Sequence, residues 1–308
     1  MSFIDWIQET HERVQSNGIE GATESAYELY LGGLRRLGRT YNYGESIYER
    51  PWDVLIVLDA CRPDLMVEVE SDHEFLSNSG SIISKGSSSA EWMKKNFLDR
   101  PHDAATTTYV TGNPFSDSQL RPELFYELDE VWQYGWDDQH GTIPPDPITD
   151  RAIYHGRKSR SDRLVVHYMQ PHYPFIKSNL NHQMSSKAFG KSDGTDVWDD
   201  LRRGEISRNV AWNAYRENLQ YVLKHVEILL SNIDADKVVI TADHGNLLGE
   251  WGIYGHPEYA PIRALKQVPW YVTSADDNGE YDPTIVSKRS SVGVNSDVSE
   301  RLQELGYQ

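Results

Sequence analysis

The segment Val238–Pro257 constrains the fold more than any other, because a strand-like run leads there directly into metal-type ligands. The β-branched run Val238–Ile240 predicts a buried strand. Asp243 and His244 follow it closely, and His256 comes twelve residues after His244. A carboxylate and an imidazole together suit a divalent cation. Because ligands of open α/β sheets bind at the C-terminal ends of strands, the segment predicts a site at one edge of such a sheet.

Two further apolar runs lead to side chains of the same kind. Trp52–Leu58 is nearly continuous in apolar residues and stops at Asp59, while Arg163–Met169 leads to His172. Such runs are typical of strands buried in a parallel sheet. The helix-spaced stretch Asn209–Leu230 precedes the first segment, which is the order of a crossover unit. We therefore predict a three-layer α/β/α sandwich with a mostly parallel central sheet.

The sequence pattern divides the chain into two parts. Residues 1–45 carry a helix-spaced apolar stripe and predict an N-terminal helical appendage. Residues 46–308 predict one α/β domain, closed by a helix over Asp297–Leu305. No stretch approaches the roughly 20 apolar residues of a transmembrane helix, and the N-terminus lacks the basic and apolar regions of a signal peptide. We therefore expect a cytoplasmic protein.

The acidic net charge of the chain bears on which class of molecule it can bind. The net charge is −17, which argues against nucleic acid, because phosphate binding needs clustered basic residues. Eleven of the 30 basic residues are lysine, and an acidic excess with arginine over lysine is typical of halophilic proteins. The alternative is an ordinary acidic mesophilic protein. The charge does not indicate an oligomeric state.

A serine cluster, Ser87–Ser89, precedes a predicted helix over Ala90–Leu98. Ser88 and Glu91 have the spacing of a capping box, so these serines have a structural interpretation as helix caps. A serine at a helix start is also where backbone amides can stabilise an anion. Both interpretations can hold for one residue.

Taken together, three stretches resemble the alkaline phosphatase-like superfamily, and within it the sulfatase-like family. Val54–Asp64 resembles the family's apolar strand followed by D-x-x-R-x-D, and His167–Phe175 resembles H-x-x-x-PH-x-P-F/Y. Thr241–His256 resembles DHG-x-x-x-GE-x-G-x-x-GH. The order of the stretches and their spread of about 200 residues also match. The resemblance implies an alkaline phosphatase-like fold. Within the sulfatase-like family it implies a haloarchaeal-type member that does not use formylglycine.

The resemblance also implies roles for particular residues. It implies one divalent cation, either Zn, Mn, Mg or Ca, held by Asp59, Asp243 and His244. It implies three substrate-binding residues, Arg62, His172 and His256. The two histidines would contact the anionic group, protonate the leaving alcohol or complete a second metal site. Arg62 has a structural alternative, pairing with Asp64, and for His167 we expect a core position.

The nucleophile is expected among the serines. Family members carry Thr, Ser or a modified Cys at a helix start, usually with Pro two residues later, where Ala90 follows Ser88. Ser88 is therefore the first choice, Ser89 the second and Ser87 the third. Formylglycine is not expected, because the segment starting at Cys61 lacks the final arginine of C-x-P/A-x-R. We interpret Cys61 as inert packing.

These expectations define a function. We expect a metal-dependent hydrolase of sulfate or phosphate esters, acting through a covalent seryl intermediate. The substrate would be a small-molecule, glycan-linked or lipid-linked ester. The alternatives are a phosphoryl-group transferase and a non-catalytic, metal-dependent binder of an anionic glycan or lipid headgroup.

Overall fold

The computed structural model describes residues 3–178, 180 and 196–284. The predicted helix over Asp297–Leu305 lies outside these ranges. The described residues form strands β1 Val54–Leu58, β2 Ser81–Ile83, β3 Thr107–Thr111, β4 Glu127–Glu130, β5 Arg163–Tyr168, β6 Ala235–Thr241, β7 Leu247–Leu248, β8 Tyr254–Gly255 and β9 Gln267–Ala275.

One sheet of seven strands, in the order β2-β9-β6-β1-β5-β3-β4, forms the centre of the molecule, and β7 pairs with β8 separately. Strands β6, β1, β5, β3 and β4 run parallel. Strand β9 runs antiparallel to both β6 and β2. The central strand β1 is buried along its whole length, as its apolar sequence predicts. The predicted α/β class with a mostly parallel sheet is confirmed.

The helices begin and end at residues suited to those positions. Their bounds are α1 Phe3–Asn17, α2 Ile19–Thr40, α3 Pro63–Val67, α4 Ser89–Met93, α5 Pro101–Ala104, α6 Phe115–Gln119, α7 Trp132–Gly135, α8 Pro145–Lys158, α9 Val197–Arg203, α10 Arg208–Leu230 and α11 Arg263–Lys266. Asp196 and Ser207 cap α9 and α10 with side-chain oxygens. No helix within the described ranges combines the length and apolarity needed to cross a membrane.

Helices cover both faces of the sheet. Trp92 of α4 packs against the ring of His167 in β5. Thr149 of α8 lies 2.9 Å, Oγ1 to Oη, from Tyr168, the next residue of β5. Because successive side chains of a strand point to opposite faces, α4 and α8 lie on opposite sides of the sheet. This arrangement is the predicted three-layer sandwich.

The N-terminal segment forms two helices, α1 and α2, which pack against each other. Helix α2 also packs on the chain that follows β6. Its residues Tyr27, Leu31 and Leu34 contact a small apolar cluster formed by Leu247, Ile253, Ala260, Ile262 and Leu265. The predicted appendage therefore borders the loop that carries His256. Its division from residues 46–308 as a separate unit stays a prediction.

Candidate active site

Three buried side chains meet at the C-terminal edge of the sheet. Asp59 directly follows β1, His167 is the penultimate residue of β5, and Asp243 follows β6 by two residues. Strand β1 pairs in parallel with both β5 and β6, which brings the three strand ends together. One potential ligand atom from each residue lies within 4.8 Å of the other two, and all three side chains are fully buried. Two carboxylates and an imidazole form a suitable donor set for a divalent cation.

Several atoms of this cluster lack partners. Within the described part of the chain, Asp59 Oδ1, Asp243 Oδ2 and His167 Nε2 have no hydrogen-bond partner. The His167 Nε2 atom lies 3.7 Å from an Oδ2 atom of each carboxylate. A buried polar atom left without a partner costs about 1–3 kcal/mol, and more when it is charged. A divalent cation would remove that cost, so the residues fit a metal ion.

His244 lies against the same two carboxylates. Its Nε2 is 3.4 Å from Asp243 Oδ2 and 3.7 Å from Asp59 Oδ1. Its Nδ1 lies 2.7 Å from the carbonyl oxygen of Gly245, and because a carbonyl only accepts, Nδ1 donates. In the neutral ring this leaves the Nε2 lone pair directed toward the carboxylates. The structure thus brings together the three metal ligands predicted from the sequence.

The position of His167 corrects the expectation of an ordinary core residue. The side chain is fully buried, but its Nε2 faces Asp59 and Asp243. Its Nδ1 lies 2.7 Å from the hydroxyl of Tyr109. That hydroxyl can accept a hydrogen bond from the Nδ1–H group, which leaves the Nε2 lone pair available for a metal ion. The signal for this role was its place near the end of a strand that adjoins β1.

Sequence reasoning missed Asn113. This residue follows β3, and its Nδ2 donates to Asp59 Oδ2 over 2.7 Å. The side chain is fully buried, so it orients the Asp59 carboxylate. The available signal was the same strand-end rule, because β3 is parallel to β5 and ends at the same edge.

The three serines have different environments. Ser89 Oγ lies 3.3 Å from Asp59 Oδ2 and 3.3 Å from His244 Nε2, so it borders the carboxylate cluster. Ser88 Oγ accepts from the backbone N–H of Glu91 over 3.3 Å and caps α4, as its spacing predicts. Ser87 Oγ lies 2.9 Å from Glu91 Oε2. The structure therefore places Ser89 at the cluster, and Ser88 in a capping role.

Ser87 and Glu91 connect the serine turn to the chain after His256. The buried Glu91 carboxylate accepts from the backbone N–H groups of Ser87 and Tyr259, over 3.0 and 3.2 Å. Ser87 Oγ lies 3.0 Å from the carbonyl oxygen of Pro257. In the capping box the glutamate would bond to Ser88, whereas here it bonds to Ser87. These contacts hold Ser89 and His256 in one arrangement.

His172 and His256 form a pair beside the cluster. Their Nε2 atoms lie 2.8 Å apart, and the His256 ring centroid is 4.8 Å from that of His244. Burial lowers the pKa of His172 below its ordinary value. Burial, with the nearby His244 and His172, lowers the pKa of His256 well below its ordinary value. At neutral pH both rings are uncharged, and one N–H lies between the two Nε2 atoms.

The charge on Asp59 is maintained by its neighbours. Burial acts to raise the pKa of Asp59, but the neighbouring imidazoles of His167, His172 and His244 bring that pKa below its usual range. The carboxylate is therefore ionised at neutral pH. An ionised carboxylate is the form that binds a metal ion.

Arg62 lies in an ion-pair network. Its Nε and Nη2 donate to the two carboxylate oxygens of Asp64 over 2.8 and 2.7 Å. Its Nη1 donates to Glu250 Oε1 and to the carbonyl oxygen of Asn246, both over 2.7 Å. These contacts fit the structural alternative for Arg62, in which it joins the chain after β1 to the chain after β6.

Comparisons with known proteins found similar structures only. No family model and no curated protein matches the chain. The soluble domain of lipooligosaccharide phosphoethanolamine transferase A from Neisseria meningitidis is 15% identical, with a TM-score of 0.48 over 71% of this chain and 75% of that chain. The C-terminal periplasmic domain of EcEptC from Escherichia coli, in complex with Zn, is 11% identical, with a TM-score of 0.46 over 76% of each chain.

A third similar structure is a protein in the alkaline phosphatase superfamily from Vibrio parahaemolyticus. It is 10% identical, with a TM-score of 0.38 over 81% of this chain and 69% of that chain. At these identities and TM-scores, nothing about the activity of this chain follows from the similarity. The site must be interpreted from its own residues.

Proposed function

We propose that this chain is a metal-dependent hydrolase of phosphate or sulfate esters with Ser89 as its nucleophile. The position of Ser89 Oγ carries the proposal, because it lies 3.3 Å from both Asp59 Oδ2 and His244 Nε2. The other oxygen of the Asp59 carboxylate, Oδ1, and the Asp243 Oδ2 atom have no hydrogen-bond partner among the described residues. A serine beside a metal site can be activated for attack on an ester. Ser88, the first choice from sequence, is engaged as the cap of α4.

Four residues would hold the metal ion: Asp59, His167, Asp243 and His244. When bound, a divalent cation supplies positive charge that lowers the pKa of a nearby hydroxyl and offsets charge on the ester oxygens. Imidazole ligands favour zinc, and carboxylates also suit manganese, whereas magnesium and calcium prefer oxygen ligands alone. The mixed donor set therefore favours zinc or manganese.

The protein side chains divide the chemical step among them. Ser89 Oγ forms a bond to phosphorus or sulfur as the bond to the leaving alcohol breaks. The alcohol gains one proton and Ser89 loses one, so the step balances without another reactant. The His256 N–H that lies between the two Nε2 atoms can donate to an ester oxygen instead when the ester is bound, while His172 keeps its Nδ1–H toward the carbonyl of Tyr173. Asn113 keeps the Asp59 carboxylate oriented.

The second step decides between hydrolase and transferase. Water cleaving the seryl ester gives hydrolysis, while an acceptor alcohol gives group transfer from the same site. A glycan-linked or lipid-linked ester is compatible with both outcomes. Adding glycerol as an acceptor to the assay separates the two outcomes. Hydrolysis releases the leaving alcohol and inorganic phosphate in equal amounts, whereas transfer to glycerol releases more leaving alcohol than phosphate.

The test is turnover of 4-nitrophenyl phosphate, bis(4-nitrophenyl) phosphate and 4-nitrophenyl sulfate by the protein loaded with Mn²⁺ or Zn²⁺. We expect Ser89→Ala to lower kcat by at least about 10³-fold, because the nucleophile is lost. The matched control is Ser88→Ala, which removes the cap at about 1 kcal/mol and should retain most turnover.

Two results would contradict the proposal. If Ser89→Ala retains wild-type kcat while Ser88→Ala loses it, Ser88 is the nucleophile. If the wild-type protein binds the metal but turns over none of these esters, the non-catalytic binder is favoured. Isothermal titration with each metal measures binding independently of turnover.

A further inference from the structure

A cavity of about 190 Å³ adjoins the proposed active site and reaches Ser88 and His256. Four parts of the chain form its other walls: α2, Phe115 at the start of α6, α9 with its cap Asp196, and the segment 254–258. An N-terminal helix therefore borders the space in front of the catalytic residues. The alcohol part of an ester would lie in this space, so any role for the cavity as a subsite rests on the proposed function.

The α2 wall is held in place by close packing. Gly38 lies so close to the backbone of Tyr259 that an added Cβ would be 1.7 Å from the Tyr259 carbonyl oxygen. The Arg39 guanidinium lies over the Tyr259 ring, 4.7 Å from its centroid. Helix α9 contacts α2 as well, because the Arg202 guanidinium lies 5.1 Å from the centroid of Tyr27. Two docked helices, α2 and α9, thus form part of the cavity wall.

The lining combines aromatic rings with charges of both signs. Tyr27, Phe115, Trp198 and Tyr254 supply aromatic rings, and Leu31 and Pro257 are the aliphatic side chains of the lining. Arg202 pairs with Asp199 over 3.4 Å, whereas Arg35 has no ion pair within the described ranges. The Trp198 indole N–H is buried and has no hydrogen-bond partner among the residues that the structure describes. Such a lining offers hydrogen-bond donors and acceptors together with aromatic ring faces.

This chemistry selects among possible leaving groups. An acyl chain would need a wall without charges, whereas five charged residues line this cavity: Arg35, Asp196, Asp199, Arg202 and Glu258. A polyanion is disfavoured because the lining carboxylates, Asp196, Asp199 and Glu258, outnumber the two arginines. The volume lies below the roughly 300 Å³ at which pockets for drug-sized ligands begin, so the cavity itself has room for one ring-sized group.

We propose that this cavity is the leaving-group subsite, that α2 makes it specific, and that it takes one uncharged, hydroxyl-rich, ring-sized group such as a monosaccharide. Ring faces would pack on the sugar, while carboxylates accept from its hydroxyls and Arg35 and Trp198 donate to them. Helix α2 is then part of the active site.

The test compares kcat/KM for glucose 6-phosphate, methyl phosphate and phosphocholine, with Mn²⁺ present. We expect the ratio of glucose 6-phosphate to methyl phosphate to fall at least tenfold in Arg35→Met and in Tyr27→Ala. Arg35 is exposed, so its variant should fold normally. The control is Leu29→Ala on the same helix, 51% exposed and outside the cavity, which should leave the ratio unchanged.

An unchanged ratio in both cavity variants would overturn the subsite, and so would a wild-type preference for phosphocholine over glucose 6-phosphate. Calorimetric titration with glucose 6-phosphate and methyl phosphate separates this failure from failure of the proposed function. If no ester turns over but the sugar ester binds at least tenfold tighter, and Arg35→Met removes that difference, the subsite holds and the hydrolase proposal fails.

Discussion

At the residue scale, the metal-binding capacity of the site depends on which nitrogen of each histidine carries the proton. The carbonyl of Gly245 fixes the proton of His244 on Nδ1. The hydroxyl of Tyr109 is placed to do the same for His167, over 2.7 Å. Such partners of a metal-binding histidine usually change affinity by 10–100-fold when removed. Tyr109 is therefore a positioning residue that acts through His167.

Substitution of Tyr109 tests this role. We expect Tyr109→Phe to weaken Mn²⁺ or Zn²⁺ binding by about 10–100-fold, because His167 loses its orienting partner. The matched control is Tyr168→Phe, which removes a buried hydroxyl bonded to Thr149 on the opposite face of the sheet. Isothermal titration measures both variants. Equal affinities for Tyr109→Phe and wild type would remove His167 from the ligand set.

At the element scale, α2 contains a pair of glycines with opposite surroundings. A Cβ at Gly33 would have nothing within 4 Å, whereas one at Gly38 would meet the carbonyl oxygen of Tyr259 at 1.7 Å. Glycine inside a helix is less stable than alanine by roughly 0.5–1 kcal/mol. The same substitution should therefore act in opposite directions at the two positions.

We expect Gly33→Ala to raise the free energy of unfolding by roughly 0.5–1 kcal/mol, and the unfolding midpoint with it. Gly38→Ala should lower the free energy of unfolding by more than about 1 kcal/mol, because α2 must move away from Tyr259. Thermal unfolding followed by circular dichroism measures both. If Gly38→Ala stabilises the protein as much as Gly33→Ala, α2 is not docked as described.

Helix α9 has a cap that titrates near neutrality. Asp196 Oδ1 accepts from the N–H groups of Trp198 and Asp199, both over 2.8 Å. Burial and the neighbouring charge of Asp199 raise the pKa of Asp196 from 3.8 to about 7. Between these values the folded protein keeps a proton that the unfolded chain releases. The free energy of unfolding should therefore fall as the pH rises from about 4 to 7.

Asp196→Asn tests this dependence. Asparagine keeps the capping oxygen but cannot ionise, so the variant should lose less stability than wild type between pH 5 and pH 8. We expect a difference on the order of 2 kcal/mol in the free energy of unfolding. Chemical denaturation at both pH values provides the measurement. Parallel changes in the two proteins would show that Asp196 does not carry the effect.

At the scale of the whole molecule, the net charge of −17 opposes the compact state. Salt reduces this repulsion, because the Debye length falls from about 10 Å at 0.1 M to about 3 Å at 1 M. We expect the unfolding midpoint to rise steadily between 0.1 and about 2 M KCl, as the halophilic interpretation predicts. Sucrose, which is excluded from protein surfaces without screening charge, is the control. A midpoint that rises with sucrose but not with KCl would favour an ordinary acidic protein.

The sequence by itself determined the strands β1, β5 and β6 and the residues at their ends. Apolar runs such as Val54–Leu58 must be buried whatever their neighbours are, so their burial can be inferred locally. The chain direction then places Asp59, Asp243 and His244 just beyond strand ends. In a parallel sheet these ends share one edge. The shared edge therefore followed from local pattern, while the choice of Asp59, Asp243 and His244 as the ligand set followed from the family resemblance.

Only the tertiary structure decided which side chains face the cluster. The side chains of consecutive residues at a helix start point in different directions, so those of Ser88 and Ser89 have different neighbours. Packing of α4 on the sheet brings the Ser89 side chain beside Asp59. His167 has the burial of a core residue, and its neighbours distinguish it from one. The cavity between α2 and α9 joins segments far apart in the chain. Local pattern carries burial and periodicity, whereas distances between remote segments depend on packing, which no single stretch encodes.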